Sequence, residues 1–437
     1  MKLFWSRVTL FLTATTVVTG CQGLRQESTL SAKQSTGAAP VRYSPARDGL
    51  PTARIWKSQI AFGDINGDGF ADIGAVSRLA DGPWIWKGDG KGHWTDASAG
   101  LPRESFCGGG MKFGDVNRDG KMDVAIADHC RGVFVFLGDG GGHWTNASGG
   151  LPTTGSEDVA LGDFNHDGCL DVVAVAAGEE GIRAYEGNCK GVWKEHSTGL
   201  PQSEWGNALK AADVDGDGNV DIIAAYSAGP RVYLGDGKGN WREASEGLPA
   251  PEIHGLYWGV DVGDVNGDGK LDIVSGAAIP GVEVFIQEPG PKWRKAVEGI
   301  VPMNALGVAF GDLNNDGKLD LVAVGKTNLE EIGGVYGVFP FLGDGTGNWK
   351  LVGNTGLPTT GKERTWGVGL ADIDKDGVLD IGVAFGDVLS PTWRSGAAKP
   401  GETEKDKAKA AAEQKMRGPE RGMFGSIEVW RGQLVGK

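Results

Sequence analysis

Apolar runs long enough to cross a bilayer are missing from this chain of 437 residues. The one extended apolar stretch, residues 8–18, is too short to span by itself. Basic charge is in deficit as well. The 43 Lys and Arg stand against 57 Asp and Glu, a net charge of −14, which argues against a nucleic acid partner, since that requires basic surface. Hydrolase signatures such as G-x-S-x-G and H-E-x-x-H do not occur. Histidines number six. His129 and His254 stand alone, while His93 and His143 each precede a recurring Trp and read as structural. Cysteine is limited to five residues.

Glycine is abundant, at 75 residues, and the acid is concentrated in one recurring pattern, D-x-[ND]-x-D-G-x-x-D. Seven loops carry it. Oxygens at positions one, three and five converge if the chain turns tightly, and Gly at position six supplies the positive φ that the turn needs. Position seven offers its backbone carbonyl, and Asp at position nine closes the shell. The donors in order are Asp64, Asn66, Asp68, Phe70 and Asp72 in the first loop, and Asp115, Asn117, Asp119, Lys121 and Asp123 in the second. The third has Asp163, Asn165, Asp167, Cys169 and Asp171, and the fourth Asp213, Asp215, Asp217, Asn219 and Asp221. The fifth has Asp264, Asn266, Asp268, Lys270 and Asp272, the sixth Asp312, Asn314, Asp316, Lys318 and Asp320, and the seventh Asp372, Asp374, Asp376, Val378 and Asp380. An all-oxygen set of this kind suits Ca2+, up to seven ions, better than magnesium or zinc. An EF-hand is excluded, because position twelve is Ala75 or Ile126 where a bidentate Glu is required. The competing reading, plain Asx-Gly hairpin turns, leaves the clustered carboxylates repelling one another. Seven ions would supply about +14, close to cancelling the net charge.

Each loop leads into a short apolar, β-branched run, which predicts a buried strand. In the first unit the strands are expected at 59–64, 72–77, 83–87 and 93–99. A Gly-Asp-Gly turn ending at Trp94 and a Gly-Leu-Pro at Gly100 close the unit. The turn-plus-Trp element recurs at Trp144, Trp193, Trp241, Trp293 and Trp349, and successive loops begin 51, 48, 50, 51, 48 and 60 residues apart. Four strands at this period predict an all-β, seven-bladed β-propeller with one calcium loop per blade. The recurring Trp is expected to pack between neighbouring blades. Gly49-Leu50-Pro51 has no earlier blade to close, so residues 41–50 are expected to give the last blade its outer strand and clasp the ring.

These loops, several preceded by Phe-Gly (Phe62-Gly63, Phe113-Gly114, Phe310-Gly311), resemble the FG-GAP/VCBS repeats of integrin α-subunit propellers and bacterial surface proteins. The resemblance covers residues 41–437 and implies fold and calcium, not a particular ligand.

Residues 1–20 read as a signal segment, with Lys2 and Arg7 ahead of the apolar stretch. Val18-Thr19-Gly20-Cys21 resembles a bacterial lipobox, which implies lipidation at Cys21. The competing reading is an ordinary signal peptide with an incidental cysteine. Residues 21–40 form a tether. The expected place is the bacterial cell envelope, lipid-anchored, with Gln22 favouring the outer membrane, periplasmic or surface-facing. The lipid is then the sole membrane contact. The other four cysteines allow three pairings. In the propeller topology, only Cys107–Cys130 with Cys169–Cys189 keeps each pair on one face of one blade; the alternative is four buried thiols. Residues 387–424 are an insertion in the last blade, read as a solvated excursion or a partner-docking arm. The face opposite the acidic loops holds the candidate ligand residues Trp56, Phe106, Trp205, Tyr257, Trp258, Arg364 and Trp366. They are expected to recognise a glycan or an envelope or extracellular protein, or else to plug the channel. Three function classes therefore stand: a binding or adhesion module, an envelope assembly scaffold, and a polysaccharide-acting enzyme, the last without a catalytic signature.

Overall fold

The computed structural model describes residues 39–176, 180–249, 256–279, 281–296, 300, 303–327, 336–359, 364–388 and 423–436. The signal segment, Cys21, nearly all of the tether, His254 and residues 389–422 of the insertion lie outside the described residues. The regular elements described are all β-strands.

The chain forms a seven-bladed β-propeller, each blade an antiparallel sheet. The third blade shows the plan: Ser156–Gly162, Asp171–Ala176, Ile182–Gly187 and Trp193–Glu195, from axis to rim. An acidic loop joins its first two strands. The second strand is buried along its whole length, because neighbouring blades cover both faces. It therefore reads as an uninterrupted apolar run, without alternation. The core lies between blades more than within them. One cluster joins Ala125, Val133 and Val135 of the second blade to Val159, Val172 and Ala174 of the third.

In the first blade the strands are Ala61–Gly63, Asp72–Asp81, Pro83–Gly88 and Trp94–Asp96. The second strand outruns the expected 72–77 because its far end pairs with two added strands, Ile55–Trp56 and Ser105–Cys107. The outer strand stops short of 93–99 because the chain then crosses to the next blade, where Ala99 bridges His143.

The recurring Trp fastens that crossing. Trp94 Nε1 donates to Ala46 O at 2.8 Å, Trp144 to Ala97 O at 2.7 Å, Trp193 to Ala147 O at 2.8 Å and Trp293 to Ala244 O at 3.0 Å. Each indole is thus packed between blades, as expected. Trp241 and Trp349 differ, each with its Nε1 buried and without an acceptor among the described residues. At the Trp241 crossing His196 stands where the four bonded crossings have Ala, whereas the Trp349 crossing keeps Ala296.

Ring closure follows the expected route. Val41–Pro45 pairs antiparallel with Ile427–Leu434, from Val41 opposite Leu434 to Pro45 opposite Trp430. Val41 and Tyr43 are buried in the last blade's core, and Arg47 pairs with Glu428. The last blade's exposed edge is thereby covered. Inner strands of all seven blades line an axial cavity of about 290 Å3.

Candidate functional site

The acidic loops form one face. In all seven, the position-one Asp accepts backbone N–H bonds from positions five and six; in the first loop Asp68 N lies 3.2 Å from Asp64 Oδ1 and Gly69 N 2.7 Å from Oδ2. The position-five Asp accepts from the N–H of position seven. The turn is therefore held by its own carboxylates.

Position nine has a second task that the sequence reading missed. Asp72 is fully buried. Its Oδ2 accepts from Ile65 N at 2.8 Å and its Oδ1 from Gly88 N, at the end of the third strand, at 2.8 Å. The same pair of bonds recurs at Asp123, Asp171, Asp221, Asp272, Asp320 and Asp380. This residue staples the loop to the blade, and each oxygen keeps a second lone pair for a cation. Burial pushes these carboxyls up to about 6, and to about 7 at Asp171 and Asp380. Loop carboxylates beside them push the same way, while the backbone N–H bonds oppose it.

The donor chemistry fits a hard divalent cation. The carboxylate oxygens of Asp213, Asp215 and Asp221 lie within 4.8 Å of one another, as do those of Asp372, Asp374 and Asp380. These are the two loops with Asp at position three. The other five have Asn there, whose Oδ1 accepts from the position-five N–H, at 3.1 Å for Asn66. In the seventh loop Arg431 Nη1 lies 3.4 Å from Asp374 Oδ2 and shares that carboxylate.

The cysteines pair as the topology required, Cys107 with Cys130 and Cys169 with Cys189. Asp128 lies beside the first pair and accepts N–H bonds from both of its cysteines.

At the other end of the axis, seven residues surround the channel mouth: Ser58, Gly109, Glu157, Asn207, Trp258, Leu306 and Trp366. They occupy one register position, six residues before each loop's first Asp. In five blades that residue is a β-bulge. The ladder slips between Ser156 and Asp158, Gly206 and Ala208, Tyr257 and Gly259, Ala305 and Gly307, and Thr365 and Gly367. A bulge re-aims its side chain, here towards the mouth. Trp366 is pinned by Nε1 donating to Gly386 O at 2.9 Å. Trp258 meets it edge-on at 6.4 Å. Lys57 reaches across to Glu157 at 2.8 Å, and His129 also contacts Glu157. Trp205, 45% exposed, stands 5.8 Å from the His129 ring, and the Arg364 guanidinium lies 5.0 Å from the Trp366 ring centre.

Of the candidate ligand residues, Trp205, Trp258, Trp366 and Arg364 therefore sit at or beside the mouth. The other three do not face a ligand. Trp56 and Phe106 are 0% exposed and Tyr257 1%. Trp56 packs on Trp86 and Phe106 on Phe134, and Tyr257 donates its hydroxyl to Glu283. Phe106 follows the exposed Ser105 and Tyr257 the exposed Leu256, and loop position alone does not say which way a side chain turns. Glu157, Lys57 and Asn207 were missed. The register count, six before each loop, was the signal that finds Glu157 and Asn207.

The FG-GAP-like repeat family matches residues 64–126, 115–174 and 213–275. No curated relative matches the chain. Among solved structures, an Agrocybe aegerita lectin described as recognising non-reducing terminal N-acetylglucosamine is similar, with 19% identity, 71% of this chain and 84% of that one covered, and a TM-score of 0.42. Five of the seven loops, all of one pattern, lie within those matches, and together with the seven antiparallel blades they support an FG-GAP-repeat β-propeller.

Proposed function

We propose that this propeller is a calcium-stabilised binding or adhesion module that takes a glycan or an envelope or extracellular protein at its channel mouth. It is held at the bacterial cell envelope, on the outer membrane, through a lipid on Cys21. The bulge ring carries the reading. Five blades share a backbone irregularity that turns one residue towards the mouth, and those residues are Glu157, Asn207, Trp258, Leu306 and Trp366. A purely structural ring has no need of so mixed a set. The Trp258 and Trp366 indoles offer apolar surface, and the charged and amide groups beside them offer directional hydrogen bonds, the combination that small-ligand sites use.

Calcium has a structural role in this reading. The seven Asp-rich loops would hold the ions, whose charge offsets the carboxylates' repulsion, so that metal affinity becomes folding free energy. This leaves the opposite face free for recognition.

The test is capture by the calcium-loaded full chain, using a glycan array and an envelope-protein pull-down. Trp258→Ala and Trp366→Ala should abolish capture while leaving the melting temperature within a few degrees of the parent. Capture that survives both substitutions would place the ligand elsewhere.

A further inference from the structure

Position four of each acidic loop lies between two predicted cation donors, and in all seven loops its φ is left-handed. Gly67, Gly216 and Gly267 have φ of 71°, 77° and 72°, the conformation for which glycine is suited. The other four loops place a side chain there: Arg118 at 61°, His166 at 58°, Asn315 at 55° and Lys375 at 62°. That conformation is unfavourable for residues with a Cβ, so something must offset it.

All four side chains reach the next loop around the ring, always in the same direction. Arg118 lies against Gly168 of the third loop, its Nη1 2.8 Å from where a Cβ would stand. His166 Nε2 is 2.8 Å from Asn219 Oδ1 of the fourth. Asn315 Nδ2 donates to Gly377 O of the seventh at 2.7 Å. The Lys375 ammonium rests against Gly69 and 5.0 Å from the ring centre of Phe70, in the first loop. The contact always falls on position six or seven, where the predicted carbonyl donor is set.

We propose that these four are positioning residues that pass order from one loaded loop to the next, which rests on the calcium reading above. A cation fixes positions three and five, and with them the side chain at four. That side chain braces the six-to-seven peptide of the following loop before its own ion arrives. Pre-ordering of this kind is positive coupling. The ring then loads in two cooperative runs, the second, third and fourth loops and the sixth, seventh and first. Gly67, Gly216 and Gly267 break the chain between them.

The experiment is a calcium titration of the chelator-stripped full chain at pH 8, followed by calorimetry and by terbium luminescence. The variant is H166G/N315G, which leaves net charge unchanged and installs the residue three loops already use. The parent should bind with a Hill coefficient above one. The variant should bind the same number of ions with a smaller coefficient, still above one because Arg118 and Lys375 keep coupling their loops, and the fourth and seventh loops should weaken by about fivefold, one hydrogen bond's net worth. Equal steepness in both proteins, or independent sites in the parent, overturns the coupling while calcium binding stands. A parent that binds no calcium overturns the calcium reading, and the coupling with it.

Discussion

Trp144→Phe and Trp241→Phe make a matched pair that isolates one inter-blade bond. Both indoles sit at the same place in their blades and are almost fully buried. Both substitutions shrink the ring by the same volume, so the cavity cost is shared. Trp144→Phe also removes the 2.7 Å bond to Ala97 O. Losing the bond costs about 1 kcal/mol net, and a buried carbonyl left unpaired raises that towards about 2 or 3 kcal/mol. Trp241→Phe loses no such bond, because Nε1 has no acceptor among the described residues. The two variants should therefore differ by about 2 kcal/mol, roughly 30-fold in the folding equilibrium. Urea unfolding at fixed calcium reads this directly, provided the slopes of the two transitions agree. Equal midpoints would refute the claim that the crossing is fastened by the indole N–H and reduce the recurring Trp to a space-filler.

Chelation should lower the melting temperature in a scan, and added calcium should restore it; an unchanged curve removes the structural role of the ions. In calcium-free buffer, Asp221→Ala should cost several times more stability than Asp217→Ala. It strips one buried and one part-buried N–H group of their acceptor, at about 1–3 kcal/mol for the buried one, and equal losses would deny position nine its stapling role. Removing residues up to Pro45 should uncover the Ile427–Leu434 edge and drive self-association, seen as a higher-mass species by light scattering. Inside the channel, Lys112→Met should cost little, because burial already disfavours its charge and Asp158, 3.8 Å away, keeps its N–H bonds from Val159 and Leu209. Asp261→Asn should cost about 2 kcal/mol, since that carboxylate holds Lys210 at 3.0 Å and also accepts from Phe310 N across a blade junction. Urea midpoints that rank the two the other way would contradict this account of the channel.

The frame was legible in the sequence because the physics that builds it repeats. A loop such as Asp163 to Asp171 needs a carboxylate, a left-handed glycine and a following apolar run at fixed offsets, and those can be counted. Closure was readable for the same reason, since Gly49-Leu50-Pro51 had no blade of its own. Side-chain direction was not readable. Trp56 sits on an added strand ahead of the inner one and Trp258 within its own inner strand, yet one is core and the other lines the mouth. A bulge at Trp258 makes the difference, and bulges leave no compositional mark. Glu157 was hidden similarly, as one acid among many until its register places it opposite Lys57. The position-four bridges depend on how far apart adjacent loops stand, which the spacing along the chain does not give.

The seven repeats act as their own comparison. Asp at positions one, five and nine and Gly at position six are the same in every loop, because each closes a bond that the turn or the blade requires. Six residues upstream, the same backbone carries Ser58, Gly109, Glu157, Asn207, Trp258, Leu306 and Trp366, no two chemically alike except the two Trp. A position that packed the core would be held to a narrow range of volume, since interiors are dense enough to feel a methylene. This one ranges from Gly to Trp, so the frame is not choosing it. Residues released from the frame's demands, yet turned towards one shared opening, in five blades by the same bulge, are free to be chosen by whatever docks there. The division between a face that repeats and a face that varies is thus the physical basis for looking for the ligand at the mouth rather than among the acidic loops.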